Sequence, residues 1–145
     1  MHVLITGGTG FIGRELAASL LADGHAVTVL TREITSAGNR IPAGAKAVRD
    51  LAKADAVDAV VNLAGASLGG VRWNPVAKMG FRSSRIDTTR RLVDWMSRLS
   101  VKPKVLISGS AIGWYGPQGD DKLTEIAAAG SDFSATLCRD WEAEA

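Results

Sequence analysis

A chain of 145 residues with 17 basic and 15 acidic side chains carries a net charge of only +2, so neither nucleic acid nor an acidic membrane surface is implied as a partner. The length is that of one domain, residues 1–145, able to bury a real hydrophobic core. A single cysteine, Cys138, excludes an internal disulfide; with no secretory leader and no apolar run of about 18 residues, this points to the reducing cytoplasm and away from a membrane.

The β-branched run at residues 3–6 reads as a strand leading straight into Gly7-Gly8-Thr9-Gly10-Phe11-Ile12-Gly13. Helical periodicity follows over residues 11–22, with Leu16, Leu20 and Leu21 on one face, and Asp23-Gly24-His25 stops it. Strand, glycine turn and helix in that order form the context in which a glycine motif means dinucleotide binding. Both spacings fit: Gly8, Gly10 and Gly13 read as GxGxxG, and Gly7, Gly10 and Gly13 as GxxGxxG. One glycine permits the tight turn, one admits the pyrophosphate, and one allows close helix–strand packing. The helix start adds unpaired N–H groups and a partial positive charge. Gly7, Gly10, Phe11, Ile12 and Gly13 are therefore the candidate pyrophosphate contacts. A nucleotide loop of the Walker type is excluded, because Arg14-Glu15 follows Gly13 in place of Lys-Ser/Thr.

A second strand, residues 26–30, ends in Thr31-Arg32. An NAD site places an acid about 20 positions beyond the glycines to hold the ribose hydroxyls. Thr31 takes that place here, and Arg32 beside it suits a 2′-phosphate. A hydrogen bond to a charged group contributes roughly 1.5–3 kcal/mol, or about a ten- to hundredfold preference for NADP(H). The alternatives are a solvated arginine, or a Glu33 turned inward against the phosphate.

A turn-rich stretch at 36–44 leads to a short third strand at 45–49, after which Asp50 and Leu51 border the adenine or form a plain turn. A fourth strand at 59–63, apolar apart from Asn62, suits a position covered on both faces. Leu63, Ala64 and Gly65 at its end are small enough to lie against the adenosine half of a cofactor. Asn74-Pro75 opens a long helix to about residue 99, with Met79, Ile86, Val93 and Met96 near helical spacing. Its arginines Arg82, Arg85, Arg90, Arg91 and Arg98 form a solvated face or the contact surface of a homodimer. A fifth strand spans 104–108, and a last helix starts near Phe133 and is still running at Ala145. His2 and His25 stand at strand entrances with no cysteine or carboxylate cluster, so no metal site is expected.

This alternation predicts an α/β fold, a Rossmann-type doubly wound parallel sheet. Five strands are legible where six are usual, and no segment remains to close over a substrate. The expectation is the cofactor-binding part of a longer protein, cut inside a helix.

The chain resembles the extended and atypical short-chain dehydrogenase/reductases, the NAD-dependent epimerase/dehydratase group. The likeness rests on residues 6–13, Asn62-Leu63-Ala64-Gly65, Ser108-Gly109-Ser110-Ala111 with Tyr115-Gly116, and residues 132–145. Arg72-Trp73, Ser84-Arg85 and residues 138–145 look most like the sugar-epimerase-family branch of unassigned activity. The resemblance implies a catalytic Ser or Thr after the fifth strand, then a Tyr-x-x-x-Lys helix in which tyrosine exchanges the proton and lysine lowers its pKa. Ser110 takes the serine's place, with Ser108 a close competitor. The dyad is missing: the one tyrosine, Tyr115, precedes Gly119 by four residues, and no lysine follows Lys122. The resemblance makes Tyr115 a pocket-lining residue or a substitute acid/base, and places Arg85 where relatives hold an asparagine near the active site. Trp114 beside Ser110 is placed to border the nicotinamide pocket, and Cys138 reads as a small buried apolar group or a thiol contributor. Two functions remain: an NADP(H)-dependent oxidoreductase or epimerase acting on a carbonyl or sugar-like hydroxyl, its substrate unnamed by the sequence, or a non-catalytic NADP(H)-binding sensor or regulatory module.

Overall fold

The computed structural model describes residues 1–38 and 40–145; Asn39, in the expected turn-rich stretch, lies outside the described residues. Five strands form one parallel sheet in the order β3-β2-β1-β4-β5. They are β1 (His2–Thr6), β2 (Ala26–Leu30), β3 (Lys46–Val48), β4 (Ala59–Asn62) and β5 (Val105–Ser108). The helices are α1 (Phe11–Ala22), a single turn α2 (Ile34–Ala37), α3 (Pro75–Arg98) and α4 (Phe133–Glu142). The reversal of strand order lies between β1 and β4, where ligands of such sheets bind at the carboxyl ends of the strands. The register pairs Thr6 with Leu30 on one side and with Asn62 on the other, so three strands end level with the glycine turn.

Alternate side chains of the strands feed two cores. Val3, Ile5, Val27, Val29, Ala59 and Val61 pack on one face against Ala17, Leu16, Leu20 and Leu21 of α1. Leu4, Val57 and Val60 pack on the other against Leu92, Trp95 and Met96 of α3. The fully buried positions of α1 are Gly13 and Ala17, one turn apart, while its three leucines are only partly covered. Small residues face the sheet because the helix lies close to it.

Two sequence expectations need correction. Met79 is 68% exposed, and the buried stripe of α3 is Phe81, Ile86, Thr89 and Leu92. The last helix does not run to Ala145. It ends at Glu142, and the final N–H groups of Glu144 and Ala145 make tighter three-residue bonds to Trp141 and Glu142.

A third core joins α3 to α4: Phe81, Ile86, Leu137 and Trp141. The same two helices are tied by Arg82–Asp140 (2.6 Å), and Arg90 of α3 pairs with Glu144, two residues past the end of α4, at 2.5 Å. Two of the five arginines of the expected solvated basic face are thus engaged within the chain. Among the described residues no helix is long and apolar enough to cross a membrane.

Candidate cofactor cleft and active site

Two concavities lie at the carboxyl edge of the sheet. The larger, about 540 Å³, is bounded by Thr6, Gly7, Thr9 and Gly10 after β1, Thr31, Arg32 and Glu33 after β2, Asp50 and Leu51 after β3, and Leu63, Ala64, Gly65 and Ala66 after β4. Nine residues singled out in the sequence thus meet on one surface: Gly7, Gly10, Thr31, Arg32, Asp50, Leu51, Leu63, Ala64 and Gly65. Phe11, Ile12 and Gly13 do not line it.

The glycines divide their work in space. Gly7 has φ +72°, and a Cβ there would lie 2.5 Å from the Leu63 carbonyl oxygen. A Cβ on Gly13 would lie 2.4 Å from the Gly7 oxygen and 2.7 Å from the Gly8 Cα. Gly13 therefore holds α1 against the turn, while the cleft surface belongs to Gly7 and Gly10. The Phe11 and Ile12 side chains are largely exposed. What the first turn of α1 offers a ligand is its N–H groups, which have no acceptor inside a helix. Gly10 caps α1 with no side chain, whereas Asn74 caps α3 and Asp132 caps α4 through hydrogen bonds of 2.8 Å.

Thr6, Thr9 and five further polar residues of this cleft were not among the candidate site residues. Arg40 and Arg49 join Arg32, and Ser84, Thr88 and Arg91 enter from α3. The spacing 84, 88, 91 puts the last three on one helical face, a pattern that was available in the sequence. Glu33 lines the cleft as well, with its carboxylate 3.9 Å from Arg49. Among the described residues no carboxylate forms an ion pair with Arg32. Asp50 accepts a hydrogen bond from the Ala52 N–H at 3.0 Å, capping a 3-10 turn, and it also lines the cleft.

Behind the cleft runs a buried polar network. Thr6 Oγ1 donates to Asn62 Oδ1 at 2.6 Å and accepts from the Ala64 N–H at 3.2 Å. Asn62 Nδ2 donates to Thr89 Oγ1 at 2.8 Å and to Ser108 Oγ at 3.1 Å. Trp141 Nε1 also donates to Thr89 Oγ1, at 3.0 Å. Ser108 is thereby held inside the sheet.

Ser110 faces elsewhere. It lines the second concavity, about 410 Å³, with Trp114, Tyr115, Glu125 and Glu142. Its hydroxyl donates to the Glu142 carboxylate of α4, a contact between residues 32 positions apart that no local pattern announces. Cys138 is buried one turn earlier on α4, its thiol 3.7 Å from the Ala111 carbonyl oxygen. Burial pushes the thiol pKa up and the Glu142 carboxylate adds to this, so the group is a neutral, weakly nucleophilic thiol.

Arg85 lines neither concavity. Its guanidinium donates to the Ala66 oxygen at 3.1 Å, lies 5.4 Å from the Trp141 ring, and rests on Gly65, where a Cβ would meet Cζ at 2.8 Å. Burial pulls its pKa down, yet a guanidinium stays charged. Among the described residues no group of three His, Cys, Asp or Glu is placed to hold a metal ion.

Residues 3–136 match the model of the NAD dependent epimerase/dehydratase family. The chain belongs to that family. It is 39% identical over 154 residues to the chloroplastic epimerase family protein SDR39U1 homolog of Arabidopsis thaliana, covering all of this chain and 44% of that protein. It is 34% identical to epimerase family protein YfhF of Bacillus subtilis, over 99% of this chain and 49% of that one. Human epimerase family protein SDR39U1, crystallised with NADPH, superposes with a TM-score of 0.85 at 32% identity over 99% of this chain and 48% of the human one. The nucleoside-diphosphate sugar epimerase of Corynebacterium glutamicum superposes at 0.77 with 35% identity, over 99% of this chain and 30% of that one. The chain therefore spans less than half the length of these relatives.

The residues present suit a dinucleotide. The turn leaves no room for a Cβ at Gly7, the first turn of α1 is uncapped, and the far end of the cleft is rich in guanidinium groups.

Proposed function

We propose that this protein binds NADP(H) and acts as an oxidoreductase or epimerase on a carbonyl or sugar-like hydroxyl held at Ser110. The observation that carries the cofactor choice is Arg32 at the end of β2, in a cleft that also gathers Arg40 and Arg49 and has Thr31 where an NAD site keeps an acid. The NADPH in the human relative's crystal structure supports the same choice. Gly7, Gly10 and the first-turn N–H groups of α1 would hold the pyrophosphate, Leu63, Ala64 and Gly65 the adenosine half, and Arg32 the 2′-phosphate. The bound nicotinamide supplies a hydride donor or acceptor. The protein's own part is to orient the reacting oxygen and manage its proton.

The adjoining concavity supports catalysis because Ser110, Tyr115 and two carboxylates converge there. One feature favours the second reading, a cofactor-binding module without turnover: no Tyr-x-x-x-Lys pattern exists anywhere in the chain. The neutral, buried Cys138 thiol does not replace it. A single free cysteine suits a reducing compartment such as the cytoplasm.

The test is a titration with NADPH and then NADH, following energy transfer from tryptophan to the nicotinamide. Preference for NADPH that disappears in Arg32→Asp supports the cofactor assignment. A panel of carbonyls with NADPH, and of secondary alcohols with NADP+, then separates enzyme from module. Turnover lost in Ser110→Ala supports the enzyme, and no turnover with any compound supports the module.

A further inference from the structure

We infer that Glu142 is the proton acceptor for Ser110 and does at this site the work that a tyrosine–lysine dyad does elsewhere. The inference rests on the reading of Ser110 as the residue that holds the reacting oxygen. A serine hydroxyl has one proton to give and lone pairs to receive with. Here that one proton is directed at the Glu142 carboxylate, which can only accept. While Glu142 is ionised, Ser110 has no proton left with which to polarise a carbonyl. It can, however, accept a hydrogen bond from a substrate alcohol.

Three features hold the pair. Ser110 stands just past the end of β5, so the sheet sets its place. Glu142 closes the last turn of α4, one residue after Trp141, which is 6% exposed and bonded to Thr89. The Arg82–Asp140 ion pair anchors that turn to α3 from the other side. Both side chains line the same concavity, so the pair is open to a ligand.

The O–H bond of a substrate secondary alcohol breaks as its proton passes to Ser110 Oγ. The Ser110 O–H bond breaks as its own proton passes to a Glu142 carboxylate oxygen. One proton moves in total, from substrate to Glu142, and the negative charge moves from the carboxylate to the substrate oxygen. The oxidant that then receives hydride is the nicotinamide coenzyme. In reverse, a protonated Glu142 donates to Ser110 and frees the serine O–H to polarise a carbonyl and protonate the oxygen. Glu142 acts through Ser110 and is a positioning and proton-holding residue.

The test has a readout independent of turnover. With glutamate labelled at the carboxyl carbon, Ser110→Ala is expected to move the Glu142 resonance at neutral pH and to leave Glu125 unmoved. An unmoved Glu142 resonance overturns the inference. In kinetics with whichever alcohol or carbonyl of the panel is turned over, Glu142→Gln keeps an acceptor for the serine but cannot take its proton. Its kcat is expected to fall about 10²–10⁴-fold, with KM and NADPH affinity unchanged and partial recovery in Glu142→Asp. A wild-type kcat in Glu142→Gln, while Ser110→Ala is inactive, overturns this inference and leaves the proposed function standing. A wild-type protein that turns over nothing overturns both.

Discussion

Thr6 Oγ1 donates a 2.6 Å hydrogen bond to Asn62 Oδ1, joining the strand that enters the glycine turn to the strand that ends beside the cleft. Both residues are buried, and every buried side-chain nitrogen and oxygen among the described residues has a partner. Asn62→Leu would strip a partner from Thr6, Thr89 and Ser108 together. An unsatisfied buried polar group costs about 1–3 kcal/mol, so a loss of roughly 3 kcal/mol in urea unfolding is expected, larger than for any surface substitution. A loss below about 0.5 kcal/mol, the range of surface changes, would show that the network contributes nothing.

Glycines in and behind the cleft should separate by what a methyl group would strike. At Gly13 it meets backbone at 2.4 Å, at Gly7 it meets backbone at 2.5 Å with φ already at +72°, and at Gly65 it meets the far end of the Arg85 side chain. Gly13→Ala and Gly7→Ala are expected to lower stability by several kcal/mol, since neither backbone can move aside, and to abolish NADPH binding. Gly65→Ala is expected to fold with a change of at most about 1 kcal/mol, because a side chain can swing away. Thermal unfolding paired with NADPH titration reads both.

Cys138 should be a slow thiol. It is buried, and burial together with the neighbouring carboxylate keeps its pKa above the ordinary value. Alkylation by iodoacetamide at pH 8 is expected to be much slower in the native protein than in urea. Equal rates would mean that the thiol is exposed and ionised in the folded state.

Asp58 supplies a pH dependence whose sign follows from one contact. Its carboxylate accepts the His2 N–H at 2.7 Å, which holds its pKa below the ordinary aspartate value. A depressed folded pKa contributes stability above the unfolded value of about 4, and that contribution fades as pH falls through the folded pKa. Asp58→Asn is expected to flatten the acid limb of the stability curve below about pH 4, and to change little near pH 7. Unfolding midpoints measured across that range check it; an unchanged acid limb would show that the contact contributes nothing.

Local chemistry in the sequence determined most of the framework. The bounds of α1 follow from the glycines before Phe11 and from Asp23-Gly24 after Ala22, and Asn74-Pro75 starts α3 where the cap and the missing N–H require. The cleft was equally legible: strand ends of a parallel sheet must converge at the order reversal, so residues after β1, β2, β3 and β4 met there. Packing across long sequence distances was not legible. Met79 has helical spacing with Ile86, Val93 and Met96 but is exposed, while Phe81 and Leu92 take the buried positions. Ser108 and Ser110 are alike in sequence, and only the position of Asn62 separates the one locked in the sheet from the one facing the concavity. Arg82, Arg85, Arg90 and Arg91 read as one basic stripe; α4, Trp141 and the cleft give each a different role. The sequence by itself determined the strand–turn–helix elements and the nucleotide turn, because caps, glycine conformations and periodicity act within a few residues. The tertiary structure alone decided which hydroxyl meets which carboxylate, because Ser110 and Glu142, 32 residues apart, come together only when α4 packs beside the segment after β5.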